Sequence, residues 1–379
     1  MPNVLVAMDK FKGTATAAEV CASVCAGIQD CAGQWSIQSM PLADGGDGTV
    51  AALIDSGWES IPIETVDGHG AAITSLVARE ADTAVVELAD ICGLAKWHSE
   101  LDPWHANTVG LGVALRTLVE LGATEIFVAV GGSASTDGGL GALIGLGFEI
   151  VDDAGDLVPN GLAGLASAAR IIAPPHIERL RSVRWTVLVD VDAPLFGPRG
   201  AAYRFGPQKG LSGEDIAKAD QLLREWDALL TETNGRRVGE MAGTGAAGGV
   251  GAALVSQLDA RIESGFGFVA EKLGLLSAIA HADAVVTGEG HLDETSFTGK
   301  VVGEVLRLTH LAGTPACVVV GDIDGHINPE RLDRVITLME IAGGKDAAMD
   351  DAVVHLRQAG RWVGEWLNKP GISGAVSQP

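Results

Sequence analysis

The chain has 379 residues, 47% of them hydrophobic and 20% charged, with 51 glycines and a formal net charge of −23. A negative field of that size repels nucleic acid and anionic lipid, and an aromatic content of 4% offers few stacking platforms for bases. The length suits two domains, no apolar run reaches the about 20 residues of a membrane span, and "VLVAM" is broken by Asp9 and has no basic leader.

Near the N-terminus, "NVLVAM" (residues 3–8) reads as a buried strand and "TAAEVCASVCAGI" (16–28) as a helix capped by Thr14 or Thr16. Three of the five cysteines, Cys21, Cys25 and Cys31, fall on or beside that helix with no histidine at zinc-site spacing. They read as reduced packing residues of a cytoplasmic protein. "SIQSMPL" is a second strand and "GTVAALIDSG" a helix closed by Gly57, so the opening rhythm is βαβα, the pattern of a helix-covered parallel sheet.

The rhythm then changes. "WESIPIETVD", "AAITSLVARE" and "DTAVVELAD" are successive strand-like runs joined by turns, an antiparallel meander. A helix ("TVGLGVALRTLVELG"), a strand ("TEIFVAVGG"), a glycine-dense stretch, another strand ("RWTVLVDVDAP") and an amphipathic helix ("SGEDIAKADQLLREWDALLTETNG") follow. Near residue 280 the α/β alternation returns with "ADAVVTGEG", "KVVGEVLRLTHLAG", "TPACVVVGD" and "RVITLME"; the tail "NKPGISGAVSQP" reads as disordered. The expected architecture is α/β in two domains: residues 1–63 and 281–379 form a doubly wound parallel sheet, and 64–280 form an inserted mixed-sheet domain.

Several strand-like runs end in polar, glycine-rich loops, where ligands bind in open α/β sheets. "MDKFKG" holds Asp9, Lys10 and Lys12; "ADGGDG" holds Asp44 and Asp47; "GGSASTDGG" holds Ser133, Ser135, Thr136 and Asp137; "VDVDAP" holds Asp190 and Asp192; "TGEGHLDETSFTGK" holds Glu289, Asp293 and Lys300. Taken singly, Asp44 or Asp47 reads as a turn or cap residue. Asp190 and Asp192 would share a face in a regular strand, which suits Mg²⁺ or a base beside a metal; a capped strand end is the plain alternative. "GTGAAG" (243–248) matches G-x-G-x-x-G, yet "RRVGEMA" before it is not a convincing strand. A phosphate-cradling helix start, or close packing through Gly248, Gly249 and Gly251, competes with a dinucleotide site. No Walker loop precedes Lys300, and His69, His98 and His105 read as loop residues. Taken together, lysines, hydroxyls and carboxylates in glycine loops suit phosphoryl transfer: cations neutralise phosphate, carboxylates hold Mg²⁺ and amides bind oxygens.

The segments "DKFKGT", "PLADGGDGTV", "VGGSASTDGG", "FGPQKG", "GTGAAGGVGAAL" and "TGEGHLDETSFTGK", in that order, resemble the bacterial glycerate kinases of the glycerate 2-kinase type. The resemblance implies Mg²⁺-dependent transfer of the ATP γ-phosphate to D-glycerate, giving 2-phosphoglycerate. It also implies a flavodoxin-like domain, a restriction-enzyme-like domain, and an active site between them. On this reading Asp190, Lys12 and Lys10 are the catalytic candidates. Asp44, Gly45, Gly46, Asp47, Ser133 and Lys209 would bind substrate. The nucleotide would be held by Gly131, Gly132, Thr136, Asp137, Gly245, Gly248, Glu289 and Lys300, and the metal by Asp190, Asp192 and Asp293. The expected partners are ATP and D-glycerate, with no nucleic acid or membrane; a homodimer is left open. Ser135 and Thr136 stand where Thr and Asn are usual, "NTVGLGV" replaces the usual "YGTGEL", and His291 replaces an arginine, a weaker and pH-dependent phosphate partner. The rival readings are a nicotinamide-dependent oxidoreductase using "GTGAAG" and a two-lobed solute-binding protein.

Overall fold

The computed structural model describes residues 1–97, 100–325, 332–370 and 372. His98, and positions 371 and 373–379 of the tail expected to be disordered, lie outside the described residues. The strands, in chain order, are β1 (Asn3–Met8), β2 (Ser36–Pro41), β3 (Glu59–Val66), β4 (Ala72–Glu80), β5 (Thr83–Glu87), β6 (Glu125–Ala129), β7 (Glu149–Val151), β8 (Arg170–Ile172), β9 (Arg184–Leu188), β10 (Arg261–Glu263), β11 (Ala284–Leu292), β12 (Ala316–Ile323) and β13 (Arg334–Thr337).

Two compact units result, Met1–Asp44 with Phe266–Pro379, and Gly45–Gly265. The chain therefore crosses between units at 44/45 and 265/266, each earlier in the chain than the 63/64 and 280/281 positions read from the change in rhythm. The helix Thr49–Asp55 continues the opening alternation in sequence, but it packs with the second unit's strands. β3 pairs antiparallel with β4, and the helix lies against β4 and β5.

In the first unit five parallel strands run β13-β12-β11-β1-β2. Counted along the chain within that unit this is the order 2-1-3-4-5 of flavodoxin-like sheets, with a switch point between β1 and β11. The central strands are apolar because helices cover both faces of such a sheet: Val4 to Met8 of β1 and Ala284 to Val286 of β11 are wholly buried. The helix Ala17–Cys31 begins with a capping box, Thr16 accepting from the Glu19 amide while Glu19 accepts from the Thr16 amide. Its apolar stripe, including Val20, Val24 and Ile28, packs with Leu356 and Val363 of the helix Ala352–Leu367.

The second unit carries a six-stranded sheet, β10-β9-β6-β5-β4-β3. β5, β6, β9 and β10 are parallel, and β3, β4 and β5 form the antiparallel meander expected from their alternation. Its core joins Val86, Val128 and Val187 of the parallel strands to Leu111, Leu115, Leu143 and Trp226 of the helices. Two strand-like runs stop sooner than their sequences suggest. "DTAVVELAD" turns helical after Glu87 and "RVITLME" after Thr337, because Leu88–Cys92 and Leu338–Ala342 are short helices. β9 likewise ends at Leu188, so Asp190 and Asp192 lie in the following loop and share no strand face. Among the described residues no helix is long and apolar enough to cross a membrane.

Candidate functional site

The carboxyl ends of β1, β2 and β11 are neighbours in the first unit, where the topology rule places a ligand. Asp9, Lys10 and Lys12 follow β1, and Asp44 follows β2; Glu289 and His291 lie in the last turns of β11. The Asp9 backbone amide donates to the Gly288 carbonyl and the Leu42 amide to the Met8 carbonyl, tying the three strand ends together. Burial pushes the Asp9 carboxyl up to about 7; Lys10, at 3.8 Å, opposes the rise, while the Asp44 and Glu289 carboxylates add to it. Burial also raises Glu289, with Asp293 and Asp44 adding to the rise and Ser296 and Lys300 opposing it; one Glu289 oxygen, Oε1, is buried without a hydrogen-bond partner. Lys12 is exposed and Lys10 half-buried.

The rest of that loop is built by a cap. Asp293 Oδ1 accepts from the Ser296 amide at 3.0 Å and from Thr295 Oγ1 at 2.6 Å, and Lys300 Nζ lies 3.9 Å away. Burial alone would raise the Asp293 carboxyl, but these donors outweigh it and hold it below the usual carboxylate range. Lys300 sits at the N-cap position of the helix Val301–Ala312. His291 Nδ1 lies 3.9 Å from Asp322 Oδ2.

In the second unit, polar loops follow β6 and β9. Lys209 is 3% exposed, and its ammonium donates to Ser133 Oγ at 2.7 Å and to the Ser135 carbonyl at 2.6 Å. Burial pulls its pKa down to about 8, against the opposing pull of Asp137 and Cys92. Asp137 is wholly buried; its carboxylate accepts from the Thr108 amide and hydroxyl at 2.9 and 2.7 Å, and from the Gly139 and Gly141 amides. It thus joins the starts of the helices Val109–Glu120 and Leu140–Leu146. The Ser135 and Thr136 hydroxyls are buried without hydrogen-bond partners, which singles out this loop as a place for polar ligand atoms.

The expected loop residues divide between the units, and their carboxylates differ in how they are engaged. Asp190 Oδ1 accepts from Ser264 Oγ at 2.8 Å and from the Gly265 amide at 3.0 Å. Asp192 is exposed and paired with Arg204 Nη1 at 2.8 Å, which holds its carboxyl low. Among the described residues no group of three or more His, Cys, Asp or Glu side chains is arranged to hold a metal ion. Mg²⁺ needs no such cage: it keeps waters and is bound through one or two carboxylates and substrate phosphates. The unpartnered Glu289 Oε1, with Asp44 near enough to raise that carboxyl, fits such a hard cation.

The "GTGAAG" stretch is buried and no strand precedes it, since β9 ends at Leu188 and β10 begins at Arg261. A Cβ on Gly248 would come within 2.3 Å of the Ser135 carbonyl oxygen, so close packing against the Ser135 loop accounts for that glycine. The strand–turn–helix context of a dinucleotide fingerprint is missing.

Comparison with known proteins settles the relationship. The model of the glycerate kinase family matches residues 4–368. The chain belongs to the glycerate kinase family. The glycerate 2-kinase of Escherichia coli (strain K12) is 31% identical over 95% of this chain and 96% of its own length. A glycerate kinase of Halalkalibacterium halodurans is 30% identical over 95% and 97%. A crystal structure from Salmonella typhimurium LT2, described as a proposed glycerate kinase 2, covers 97% of this chain and 98% of its own with a TM-score of 0.81 at 30% identity. This family member is a kinase of mixed α/β fold, and the oxidoreductase and solute-binding readings give way to that assignment.

Sequence reasoning gave no role to Glu87 and no separate role to Asp9. Asp9 carried a signal, since a carboxylate directly after a buried strand stands at a sheet's ligand-binding end. Glu87 carried little, because an acid ending a strand-like run reads as solvent-facing; it is 4% exposed.

Proposed function

We propose that the chain transfers the γ-phosphoryl group of ATP to the 2-hydroxyl of D-glycerate, giving 2-phosphoglycerate and ADP, in a Mg²⁺-dependent reaction in the cytoplasm. The observation that carries the proposal is the charged loop set at the ends of β1, β2 and β11, in a chain matched to a glycerate kinase family over nearly its whole length. Neutral-pocket chemistry would not repay burying Asp9 and Glu289 beside one another.

In the reaction the glycerate oxygen bonds to the γ-phosphorus, the bond to the β-phosphate bridging oxygen breaks, and the hydroxyl proton passes to a carboxylate. Asp190 is the positioning candidate, with its carboxylate fixed by Ser264 and Gly265. Asp9, whose carboxyl titrates near neutrality, is matched in proton affinity to the role of acceptor. Lys10, Lys12 and Lys300 neutralise phosphate oxygens. Lys209 with Ser133 holds polar substrate atoms, and the Thr136 loop serves the nucleotide. Mg²⁺, when bound, supplies charge neutralisation on the phosphates, with Glu289 and Asp44 as the chain's donors.

Purified protein with Mg·ATP and D-glycerate should yield 2-phosphoglycerate by ³¹P NMR. Unchanged glycerate from neutral to alkaline pH would refute the proposal.

A further inference from the structure

The loop after β6 gathers buried polar groups, all of them within the second unit. Lys209, at the end of the short turn Pro207–Lys209, reaches into it. An ammonium carries three N–H donors. Two go to Ser133 Oγ and the Ser135 carbonyl, and the third finds no acceptor among the described residues. The Ser135 and Thr136 hydroxyls, 0% and 1% exposed, are likewise without partners. Asp137, the next residue, differs because both of its oxygens are engaged from inside the unit. Oδ1 accepts from the Gly139 amide at 3.1 Å, and Oδ2 accepts from the Gly141 amide at 3.2 Å and from both donors of Thr108. The Thr108 hydroxyl itself accepts from the Ala142 amide at 2.8 Å, so its proton is committed to Asp137. The packing there is close: a Cβ on Gly141 would come within 2.9 Å of Asp137 Oδ2 and 2.7 Å of the Thr108 nitrogen.

We infer that Asp137 is a positioning residue that acts through Lys209: it anchors the Ser133–Thr136 loop to the helix starts beside it and supplies the countercharge for the buried ammonium. The inference rests on the reading that Lys209 and Ser133 hold polar substrate atoms, and it gives Asp137 its effect without contact with a ligand.

A lysine removed from water gives up its proton more readily unless a negative charge offsets the burial. The titratable groups that face Lys209 are Asp137, two residues beyond the carbonyl it binds, and Cys92, on the helix Leu88–Cys92. Burial pushes the Cys92 thiol up, with the Asp137 and Asp67 charges adding to the rise and Lys209 opposing it, so the thiol is neutral where Lys209 titrates. Asp137 is left as the anion. Burial raises its carboxyl too, but its four hydrogen bonds oppose the rise and favour the ionised form. The balance puts Lys209 at about 8, where loss of the countercharge changes its protonation near neutral pH.

Anchoring alone would not need the charge, and two variants separate the roles. Asp137→Asn keeps an acceptor for the amides and removes the charge. Thr108→Val removes one donor from the anchor and keeps the charge. The test follows Lys209 in protein labelled with ¹³Cε-lysine, its NMR signal assigned by its loss in Lys209→Met. In wild type that signal should titrate at about pH 8. Asp137→Asn should lower the midpoint by about one pH unit, the lower end of what a nearby opposite charge contributes, and Thr108→Val by much less. Kinetics ties the midpoint to the reaction. The loss in kcat/KM for D-glycerate caused by Asp137→Asn should be about tenfold larger at pH 9 than at pH 6, the ratio that a one-unit shift produces. A second measurement covers an Asp137→Asn protein that does not fold. The Asp137 ¹³Cγ signal of wild type should be that of a carboxylate at pH 7, and a protonated carboxyl there would overturn the inference. So would an unmoved Lys209 midpoint in folded Asp137→Asn, an equal shift in Thr108→Val, or a moved midpoint with no change in the alkaline limb of kcat/KM. Wild-type protein inactive on glycerate would overturn the kinase reading and the part of Asp137 in the reaction, while the two NMR titrations would still decide its pairing with Lys209.

Discussion

Asp9→Asn should stabilise the protein, and only above acid pH. The Asp9 side chain is 13% exposed, and burial lifts its carboxyl from the ordinary 3.8 to about 7. The native state therefore binds this proton more tightly than the unfolded chain does. Between about pH 4 and pH 7 the native form holds more protons, so stability falls as pH rises through that window. The distance from 3.8 to about 7, at about 1.4 kcal/mol per decade of proton affinity, is on the order of 4 kcal/mol. The substitution keeps the local geometry, because an asparagine oxygen can still accept from the Lys10 amide, which now donates to Asp9 Oδ1 at 2.7 Å. Thermal or urea unfolding of both proteins in Mg²⁺-free buffer at pH 4.5 and pH 8 measures the effect. Subtracting wild type from variant removes the titrations they share. The difference should be small at pH 4.5 and reach several kcal/mol in favour of the variant at pH 8, while the variant loses phosphoryl transfer. A difference independent of pH, or a less stable variant at pH 8, would refute the argument that burial, with the Asp44 and Glu289 charges adding to it, makes Asp9 costly to ionise.

Lys12→Ala should leave the fold intact and reduce turnover about a hundredfold, equivalent to about 3 kcal/mol of lost transition-state stabilisation; steady-state kinetics beside circular dichroism would check both. Asp190→Asn should lower kcat by about a hundredfold or more with little change in the Mg²⁺ concentration for half-maximal rate, because the amide can still accept from Ser264 and Gly265. A raised Mg²⁺ requirement would make Asp190 a ligand, and near-normal turnover would leave it as a cap. For Lys209, whose folded pKa is depressed to about 8 from 10.5, the native state releases its proton first. Wild-type stability relative to Lys209→Met should therefore rise from about pH 8 to pH 10.5 in denaturant titrations, and a flat difference would contradict that linkage.

The sequence by itself determined the fold class, the antiparallel meander and the polar, glycine-rich loops that follow the strands. Each of these leaves a local trace. A strand covered on both faces must be continuously apolar, as in β1; a half-exposed meander must alternate; and glycine with carboxylate or lysine after an apolar run marks a strand end. Even the Thr16 cap is written within four residues. Only the tertiary structure decided where the units divide, since the helix Thr49–Asp55 continues the first alternation in sequence and packs with the second sheet. It also decided which acids are buried and perturbed. Asp9 is perturbed by burial first and then by Asp44 and Glu289, which reach it through the pairing of β1 with β2 and β11. Glu87 is buried because a distant glycine loop brings its amides to the end of β5. Burial and the identity of a hydrogen-bond partner are set by long-range pairing, and nothing in the residues beside Asp9 or Glu87 encodes them.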